Sequence, residues 1–445
     1  MSSSISRDRR ARGMHRELSA VLAVVVLAGC SSAAGTTRPP AAPSGVTPAT
    51  ASPITSSGAT ASAAPSGASS RGASSRAASP APSPVATPSA LAALHGWDER
   101  ASFPGESLDV LLPGGPGLIA AGLRESTGAG DPGDALVRLS ADGSTWREAV
   151  VDGSSGGSIH AIRRVNGTYV ALGTRQLGEA DFRGAVWTSP DAERWALVAT
   201  FPLLVPRDIL ERDGHLLAWG IGGWTEPHGL FAWTLADVGR WGAARQVDAP
   251  EEAFLAHGVI GTAHGYLAFG NRGGVIPATA ARVFVATSID GITWRFAPAQ
   301  ESLDQAGFGA VVERPDGYLA VGWALAEDGS GVPAVWRSVD GLSWDRALDA
   351  AGLESGRLVR ATLVDDRLLV RGTIGAGITT RVVSWESLDG VHWTRLPLGK
   401  DIPDLLGTMP SDPVTLGGER VAVATVDGGS SSTRAVVLVQ GSVLP

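Results

Sequence analysis

Lysine, cysteine and tyrosine are scarce in this chain, and each shortage limits the kinds of bond or site that the chain can form. The only lysine is Lys400, so arginine carries almost all of the positive charge. The only cysteine is Cys30, which excludes an internal disulfide. No apolar run keeps helical spacing beyond the first thirty residues, while 58 glycines and 28 prolines favour short strands joined by turns. The composition therefore predicts an all-β protein.

The charge balance argues against nucleic acid as a partner. Formal net charge is −8, and the N-terminal leader holds five arginines, so the remainder is more acidic than the whole. Nucleic-acid binding depends on basic side chains that neutralise phosphates, and no basic block occurs after the leader. The eight histidines show no metal-ligand spacing, and no phosphate-binding glycine loop is present, so we predict no cofactor.

The N-terminus predicts export and a lipid anchor. Residues 1–29 combine a basic segment with a twelve-residue apolar run over 18–29. That run is shorter than the roughly 20 residues of a membrane-spanning helix and suits a signal peptide. Its end, Leu27-Ala-Gly-Cys30, resembles a bacterial lipobox, in which the cysteine thiol accepts a diacylglycerol. We expect a lipoprotein held on the extracytoplasmic side of the cell membrane; an ordinary signal peptide is the alternative.

Residues 30–91 predict a disordered tether. Serine, alanine, proline, threonine and glycine dominate this segment, and bulky apolar residues are almost absent. Such a segment cannot bury enough apolar surface to offset the entropy of ordering it. A flexible chain of this length has a root-mean-square span of about 40–45 Å.

An internal repeat fills residues 92–445. The pattern Ser-x-Asp-Gly-x-x-Trp occurs four times, with two degenerate copies between them. Its tryptophans are spaced by 49, 46, 53, 50 and 49 residues. In each copy the aspartate suits a tight turn, and the tryptophan begins the next strand. We call these segments the Asp turns and assign their aspartates a structural role: Asp142, Asp191, Asp237, Asp290, Asp340 and Asp389.

The repeat predicts a β-propeller. Each copy also carries an upstream strand that ends in glycine, such as Gly265-Tyr-Leu-Ala-Phe-Gly270, and four strands in about 50 residues make one blade. Trp97 lies 49 residues before Trp146, on the same period. The N-terminal strand is therefore expected to complete the last blade, which gives a monomer of seven four-stranded antiparallel blades. Six blades are the alternative.

The Asp turns resemble the Asp-box, or BNR, repeat of sialidases and related propellers. In that family the box is a structural turn opposite the active site, although its usual form has one more residue between aspartate and glycine. The family's catalytic tyrosine has no counterpart here. Tyr169, Tyr266 and Tyr318 all occupy one repeated strand position, where packing is the expected role. The resemblance therefore implies a sialidase-like fold without a standard sialidase site.

Loop residues on one face are the predicted ligand site. Arg124, Arg175 and Arg272 each stand two residues after a strand-ending glycine and could grip an anionic group; ordinary solvated loop arginines are the alternative. Trp224 and Trp323 could stack on a sugar or a peptide. We predict a noncatalytic binding or scaffold module for a glycan, peptide or envelope partner. A glycoside hydrolase or lyase with a non-standard site is the alternative.

Overall fold

The computed structural model describes most of the chain between residues 97 and 440. The predicted signal peptide 1–29, Cys30 and the tether 30–91 lie outside the described residues. No helix among those described is long and apolar enough to cross a membrane. The described ranges are 97–126, 133–178, 181–222, 229–248, 254–272, 282–327, 329–347, 352–353, 356–364, 367–374, 381–396, 411–427 and 433–440.

Seven β-sheets form the blades of a seven-bladed propeller, as the repeat predicts. Within a blade the chain runs outward through strands A to D, and each neighbouring pair is antiparallel. Blade 1 contains β2 (Glu106–Gly114), β3 (Gly117–Arg124), β4 (Asp134–Ser140) and β5 (Trp146–Glu148). Blade 2 contains β7 (Gly157–Val165), β8 (Thr168–Gln176), β9 (Phe182–Ser189) and β10 (Arg194–Pro202), with β6 (Val150–Val151) added in parallel at its outer edge. Blade 3 contains β11 (Leu204–Arg212), β12 (His215–Gly222), β13 (Leu230–Leu235) and β14 (Arg245–Gln246).

The remaining blades repeat this plan. Blade 4 contains β15 (Phe254–Thr262), β16 (Gly265–Arg272), β17 (Arg282–Ser288) and β18 (Arg295–Phe296). Blade 5 contains β19 (Ala306–Arg314), β20 (Gly317–Leu325), β21 (Gly331–Ser338) and β22 (Asp345–Ala347). Blade 6 contains β23 (Arg357–Val364), β24 (Arg367–Ile374), β25 (Arg381–Ser387) and β26 (Thr394–Leu396). Blade 7 contains β27 (Val414–Leu416), β28 (Glu419–Asp427), β29 (Thr433–Gln440) and, from the other end of the propeller sequence, β1 (Trp97–Pro104).

Blade 7 closes the ring by joining both ends of the propeller sequence. Strand β1 pairs antiparallel with β29, with Trp97 opposite Gln440. The Trp97 side chain is buried in the core of this blade. Ion pairs tie β1 to β28 and β29: Arg100 binds Glu419 at 2.5 Å, and Arg434 binds Glu99. The prediction that the N-terminal strand completes the last blade is confirmed.

Buried tryptophans fill the spaces within and between blades. Strand C carries one in several blades, and Trp187, Trp336 and Trp385 are fully buried. In blade 5 the Phe308 ring centroid lies 4.9 Å from that of Trp336 and 5.1 Å from that of Trp344. Tilted and edge-on contacts of this kind add to the large apolar area that each ring buries. These clusters stack each blade on its neighbour and hold the inner strands in place.

The Asp turns are held by one repeated set of hydrogen bonds. Asp142 Oδ1 accepts the amides of Ser144 and Thr145 at 2.8 and 2.7 Å. Ser140 Oγ accepts the Gly143 amide at 2.8 Å, and Gly143 has φ +72°. Backbone amides, with that of Thr145 foremost, lower the pKa of Asp142 to about 2. The five other turn aspartates also accept backbone amides, and all of the turns lie on the face where strand C passes to strand D: Asp191, Asp237, Asp290, Asp340 and Asp389.

Candidate functional site

The innermost strand of six blades is interrupted by a β-bulge at the same place. In each of these strands the register with strand B shifts around one residue, which has no cross-strand partner. A bulge re-aims the side chain of the extra residue, and strand A borders the central channel of a propeller. The bulged residues are Asp109, His160, Arg207, His257, Gly309 and Val359. We call this set the channel ring.

The channel ring lies near the face that carries the B–C loops. Strand A begins where strand B ends, as the pairing of Gly157 with Arg175 shows. His160 comes three residues after Gly157, and three residues of strand span roughly 10 Å. The ring therefore sits about 10 Å inside the mouth of the channel, on the face opposite the Asp turns.

The glycine that ends each strand-B signature makes the bulge possible. A Cβ at Gly173 would lie 1.9 Å from the Ser158 carbonyl oxygen, two residues before bulged His160. The same overlap, with distances from 1.9 to 2.4 Å, recurs at the equivalent glycine of every bulged blade. Only a residue without a side chain accepts such close approach of the neighbouring backbone. The positions are Gly122, Gly173, Gly220, Gly270, Gly322 and Gly372.

Two histidines of the ring bind the backbone of the next blade. His160 Nε2 lies 2.8 Å from the Pro206 carbonyl oxygen, and His257 Nδ1 lies 3.4 Å from that of Phe308. A carbonyl oxygen only accepts hydrogen bonds, so the contacting ring nitrogen must carry the proton. Burial foremost, and the charge of Arg207, lower the pKa of both histidines, that of His160 to about 3. Both rings are therefore neutral at pH 7, and each retains one bare nitrogen that can accept a hydrogen bond.

Arg207 stands between these two histidines, on the strand of the intervening blade. It makes no ion pair with any residue that the structure describes. Its neighbour Asp208 is instead bound by Arg163 at 2.7 Å. Burial lowers the pKa of Arg207 to about 10, so it stays charged at neutral pH. A guanidinium that is partly enclosed by protein and has no counter-ion is costly, and five N–H donors on a planar fork suit an anionic ligand.

The opposite side of the channel is also rich in arginine. Asp109 lines the channel, so its side chain reaches solvent although protein surrounds it. This enclosure raises the pKa of Asp109, and the charge of Arg360 acts in the opposite direction. Buried Arg371 donates to the Ser411 carbonyl at 3.1 Å and lies 3.4 Å from Asp412. Nearby, one buried guanidinium nitrogen of Arg420 has no hydrogen-bond partner among the described residues.

The inner strands of the propeller carry a small excess of positive charge although the chain as a whole is acidic. Strand A of the seven blades holds seven arginines and five acidic residues, and the ring histidines are neutral at pH 7. An enclosed lining with an excess of one sign favours the opposite charge, so this channel is expected to attract anions. Strand B adds Arg371 and Arg420, of which Arg371 lies 3.4 Å from Asp412. Among the described residues, no cluster of three histidine, cysteine or acidic side chains could hold a metal.

The three predicted loop arginines lie at the ends of strand B, each engaged within its own blade. Arg124 pairs with Glu148 at 2.5 Å and approaches Glu106 at 3.4 Å. Arg175 donates to the Ser155 carbonyl at 3.3 Å, and Arg272 to that of Ala297 at 3.0 Å. Arg124 has an acidic partner, whereas Arg175 and Arg272 donate to backbone carbonyls, and no contact among the described residues joins the three arginines into one site.

The two predicted aromatic residues have different outcomes. Trp224 lies outside the described residues. Trp323 is half-buried, and its ring packs under the guanidinium of Arg357 from blade 6, 5.0 Å from the ring centroid. A Cβ at Gly307 would lie 2.5 Å from Trp323 Nε1, so the indole also covers the neighbouring backbone. Trp323 therefore joins blades 5 and 6 at the rim of the channel face.

A surface cavity of about 460 Å³ lies on the opposite face, beside the Asp turn of blade 5. Several of its polar groups hold the Asp turns: Arg337 donates to the Asp389 carbonyl at 2.5 Å, and Asp340 accepts the amides of Leu342 and Ser343. Arg314 binds Asp316 at 3.2 Å. This cavity is therefore lined largely by groups with a structural role, and the channel ring is the better candidate site.

The sequence contains a signal for the channel ring, which becomes visible only when the repeats are aligned on the strand-B glycine. Aligning the six inner strands on the glycine that ends strand B places one residue of each blade at the bulge. At this position blades 1 to 4 carry Asp109, His160, Arg207 and His257. Polar and charged residues at one repeated core position are uncommon and point to a lined channel. The bulge itself has no sequence pattern of its own, since it only shifts the alternation of the strand.

Replacing His160 should reduce the loss of stability in acid. In the unfolded chain His160 has a pKa near 6.5 and is protonated below that pH, whereas in the folded chain its pKa is about 3, so it stays neutral down to that pH. Stability therefore falls as pH falls through this window, by about 2 kcal/mol between pH 7.5 and pH 5. His160→Gln keeps a donor for the Pro206 carbonyl and cannot titrate. Urea unfolding at both pH values should show a smaller acid loss than in wild type, whereas exposed His215→Gln should change nothing; equal losses in all three proteins would refute this origin.

Comparisons with known proteins give only structural similarities. No protein-family model matches the chain, and no curated protein matches it. Among solved structures, a Trypanosoma rangeli sialidase matches with a TM-score of 0.39 and 17% identity over 66% of this chain. A Penicillium chrysogenum α-L-arabinanase complexed with arabinobiose gives 0.41 and 14% over 63% of this chain and 92% of its own. A Fusarium graminearum α-L-arabinofuranosidase gives 0.40 and 14% over 62% of this chain and 91% of its own.

The match spans just over half of the sialidase, 56% of its length. TM-scores this low carry no functional argument.

Proposed function

We propose that this chain is a noncatalytic binding protein of the cell surface, and that its propeller holds a glycan in the central channel. The observation that carries the proposal is Arg207, a charged guanidinium without a described counter-ion, flanked by the neutral imidazoles of His160 and His257. Donors on one group and bare acceptor nitrogens on its neighbours suit a ligand with many hydroxyl groups. The bulges fix these side chains on rigid strands, which favours a preformed site.

The carboxyl groups near the channel support binding over hydrolysis. Glycosidases commonly need two carboxyl groups on opposite sides of the bond to be cleaved, about 5–10 Å apart. Near the channel, Asp412 is engaged by Arg371 at 3.4 Å, Asp208 is engaged by Arg163 at 2.7 Å, and Asp109 faces the charge of Arg360. Two of these carboxyl groups are thus paired and the third faces a cation. The pattern favours a site that recognises a ligand and releases it unchanged.

The cell-surface part of the proposal rests on the N-terminus. The apolar run over 18–29 ends at the single cysteine, Cys30, with lipobox-like flanking residues. A diacylglycerol on Cys30 would hold the chain at the outer side of the membrane, and the tether 30–91 would let the propeller reach ligands beyond it. A glycan of the envelope or the surroundings is the partner that this position would offer.

One experiment tests both parts. The intact chain is expected in the membrane fraction of a lipoprotein-processing bacterium, and Cys30→Ser is expected in the soluble exported fraction. The released variant is then offered a panel of envelope and plant-type glycans, with binding followed by calorimetry and product release by chromatography. Binding without new products supports the proposal. Release of shorter sugars would mean a glycoside hydrolase or lyase, and capture of only a protein partner would refute glycan binding.

A further inference from the structure

We infer that the propeller docks on the surface of a lipid bilayer through apolar side chains on its Asp-turn face, the face that carries the Asp turns. Blades 4, 5 and 6 supply these side chains. Docked in this way, the propeller holds the mouth of the channel away from the bilayer. The inference rests on the lipid anchor of the proposed function and adds an orientation to it.

Large aliphatic side chains are exposed at one repeated position of this face. The residue before the turn aspartate is Ile289 in blade 4, Val339 in blade 5 and Leu388 in blade 6, and we call these three the apolar row. Their exposed fractions are 82, 84 and 61%, the highest of any large apolar residue that the structure describes. Single exposed apolar residues are common, but a set on one face of three neighbouring blades marks an interaction surface. The equivalent residues of blades 1 to 3 are smaller: Ala141, Pro190 and Ala236.

The tether joins the propeller on this same face, beside the apolar row. Strand β1 begins at Trp97, opposite Gln440, where strand C of blade 7 ends. In blade 1, Trp146 lies opposite Ser140 in the same way, directly after the Asp turn. The chain from Cys30 therefore enters blade 7 on the Asp-turn face, and blade 7 packs on blade 6, which carries the last residue of the row. A diacylglycerol on Cys30 would bring the membrane to the side of the propeller that bears the apolar row.

The charges near the row favour an uncharged or zwitterionic lipid surface. Proteins that bind anionic membranes present clusters of lysine or arginine. Here each residue of the row is followed by a turn aspartate, and the cavity beside Val339 is lined by Arg314, Arg337 and three aspartates. Positive charge does not exceed negative charge among these residues. We therefore expect apolar contact, and not charge, to hold this face on the bilayer.

The turns present the apolar row rigidly, which favours docking. Asp290 Oδ1 accepts the amides of Ile292 and Thr293, each at 2.8 Å, and the other two turns are held in the same way. Side chains on preformed turns lose little conformational freedom on binding. Three aliphatic side chains bind a bilayer only weakly, but a flexible tether raises the effective concentration of the membrane to roughly the millimolar range. Weak intrinsic binding is therefore sufficient in the anchored protein.

The first test measures binding of the exported full chain with Cys30→Ser to phosphatidylcholine vesicles, by sedimentation at millimolar lipid. Part of the protein is expected to sediment with the vesicles, with little change on adding salt or anionic lipid. Val339→Ser combined with Leu388→Ser should weaken binding about 10- to 100-fold, because two aliphatic side chains no longer enter the bilayer. Val150→Ser combined with Leu177→Ser is the matched control, since it removes one exposed valine and one exposed leucine from blades 1 and 2, and it should leave binding unchanged.

The second test shows which face enters the bilayer. In the Cys30→Ser chain, Val339→Cys or Leu177→Cys provides the only thiol for a fluorophore, which brominated acyl chains quench on insertion. Quenching at position 339 and not at position 177 supports the inference. Equal quenching at both positions, or equal vesicle binding by the two double variants, would overturn it. Thermal unfolding of each variant shows that the fold is intact.

The remaining outcomes separate this inference from the proposed function. If the intact chain is found in the membrane fraction but the Cys30→Ser chain does not bind vesicles, docking is overturned and the anchor stands. Vesicle binding by a chain that carries no lipid at Cys30 in the cell would overturn the anchor and leave the apolar surface standing. Self-association that is lost in Val339→Ser with Leu388→Ser, without vesicle binding, would assign the row to a second copy and overturn docking on lipid.

Discussion

Deleting residues 97–104 from the full chain is expected to unfold the propeller at temperatures where the intact chain is folded. This deletion removes β1, the outermost strand of blade 7, and with it the hydrogen bonds to β29. Trp97, whose side chain is 8% exposed, leaves the core of the blade. The deletion also breaks the ion pairs of Glu99 with Arg434 and of Arg100 with Glu419.

The size of the effect follows from what the strand buries. Truncating one buried tryptophan costs about 3–5 kcal/mol, and the strand adds a row of backbone hydrogen bonds. The free energy of unfolding of typical domains is only about 5–15 kcal/mol, so this loss removes most of it. Strand β29 would also present the buried run Ala435–Val439 on an open edge, a known route to aggregation.

A deletion of equal length provides the control. Removing residues 60–67, within the serine- and alanine-rich segment, should leave the unfolding temperature unchanged. Trp97→Ala alone should destabilise by roughly 3–5 kcal/mol while the chain stays soluble. Thermal unfolding and light scattering of the four proteins decide the matter. An intact melting temperature after loss of 97–104 would mean that three strands suffice for blade 7 and that β1 is an accessory strand.

The closure of the ring could be predicted because its signal is periodic. Trp97 falls on the 49-residue spacing of the other turn tryptophans, and the last repeat supplies three strands without a fourth. Period and strand count constrain topology strongly, since an unpaired strand edge is costly. The Asp turns were equally accessible, because Asp, Gly and Trp have distinct local roles. The signal for each turn lies within a few neighbouring residues, and the signal for closure lies in the regular spacing between the turns.

The ligand site could not be predicted in the same way. Arg124, Arg175 and Arg272 share a sequence position, but that position points each arginine to partners in its own blade. The channel ring depends instead on a bulge that shifts one residue out of the alternation. Which face a strand residue occupies changes with a single-residue slip, and the alternation within one strand does not record the slip; only alignment of the six strands on their strand-B glycines identifies the bulged residue. His160 and Arg207 therefore looked like ordinary strand residues.

The strand-B glycines connect the sequence repeat with the channel ring. They are visible in the sequence as a repeated signature, and the structure shows their purpose: each accepts the close approach of the carbonyl that precedes the bulge. The repeated glycine and the bulge recur in six blades, and in five of them the bulged residue adds a side chain to the channel ring; in blade 5 it is Gly309. A substitution at such a glycine should therefore disturb both stability and the channel ring.

Gly270→Ala is expected to destabilise the propeller severely. A Cβ at this position would lie 2.0 Å from the Leu255 carbonyl oxygen and 2.6 Å from the Phe284 ring, so strand A must move. Overpacking of this kind costs about 1–3 kcal/mol where side chains can yield, and more where a backbone atom blocks the site. We expect a loss of about 3 kcal/mol or more. Because Leu255 is two residues before bulged His257, the variant should also displace this histidine from the Phe308 carbonyl.

Gly261→Ala is the matched control, because Gly261 lies on strand A of the same blade and a Cβ there would meet nothing within 4 Å. Reduced freedom of the unfolded chain should make this variant neutral or more stable by up to about 1 kcal/mol. Urea unfolding measures the two free energies, and the NMR signals of the His257 ring report its hydrogen bond. Equal stabilities of the two variants would show that the glycine does not hold the bulge. A large loss of stability in Gly270→Ala with unchanged NMR signals of the His257 ring would have a different meaning. The bulge would then persist without the glycine that faces it, and the glycine would matter for the stability of the blade but not for the geometry of the channel.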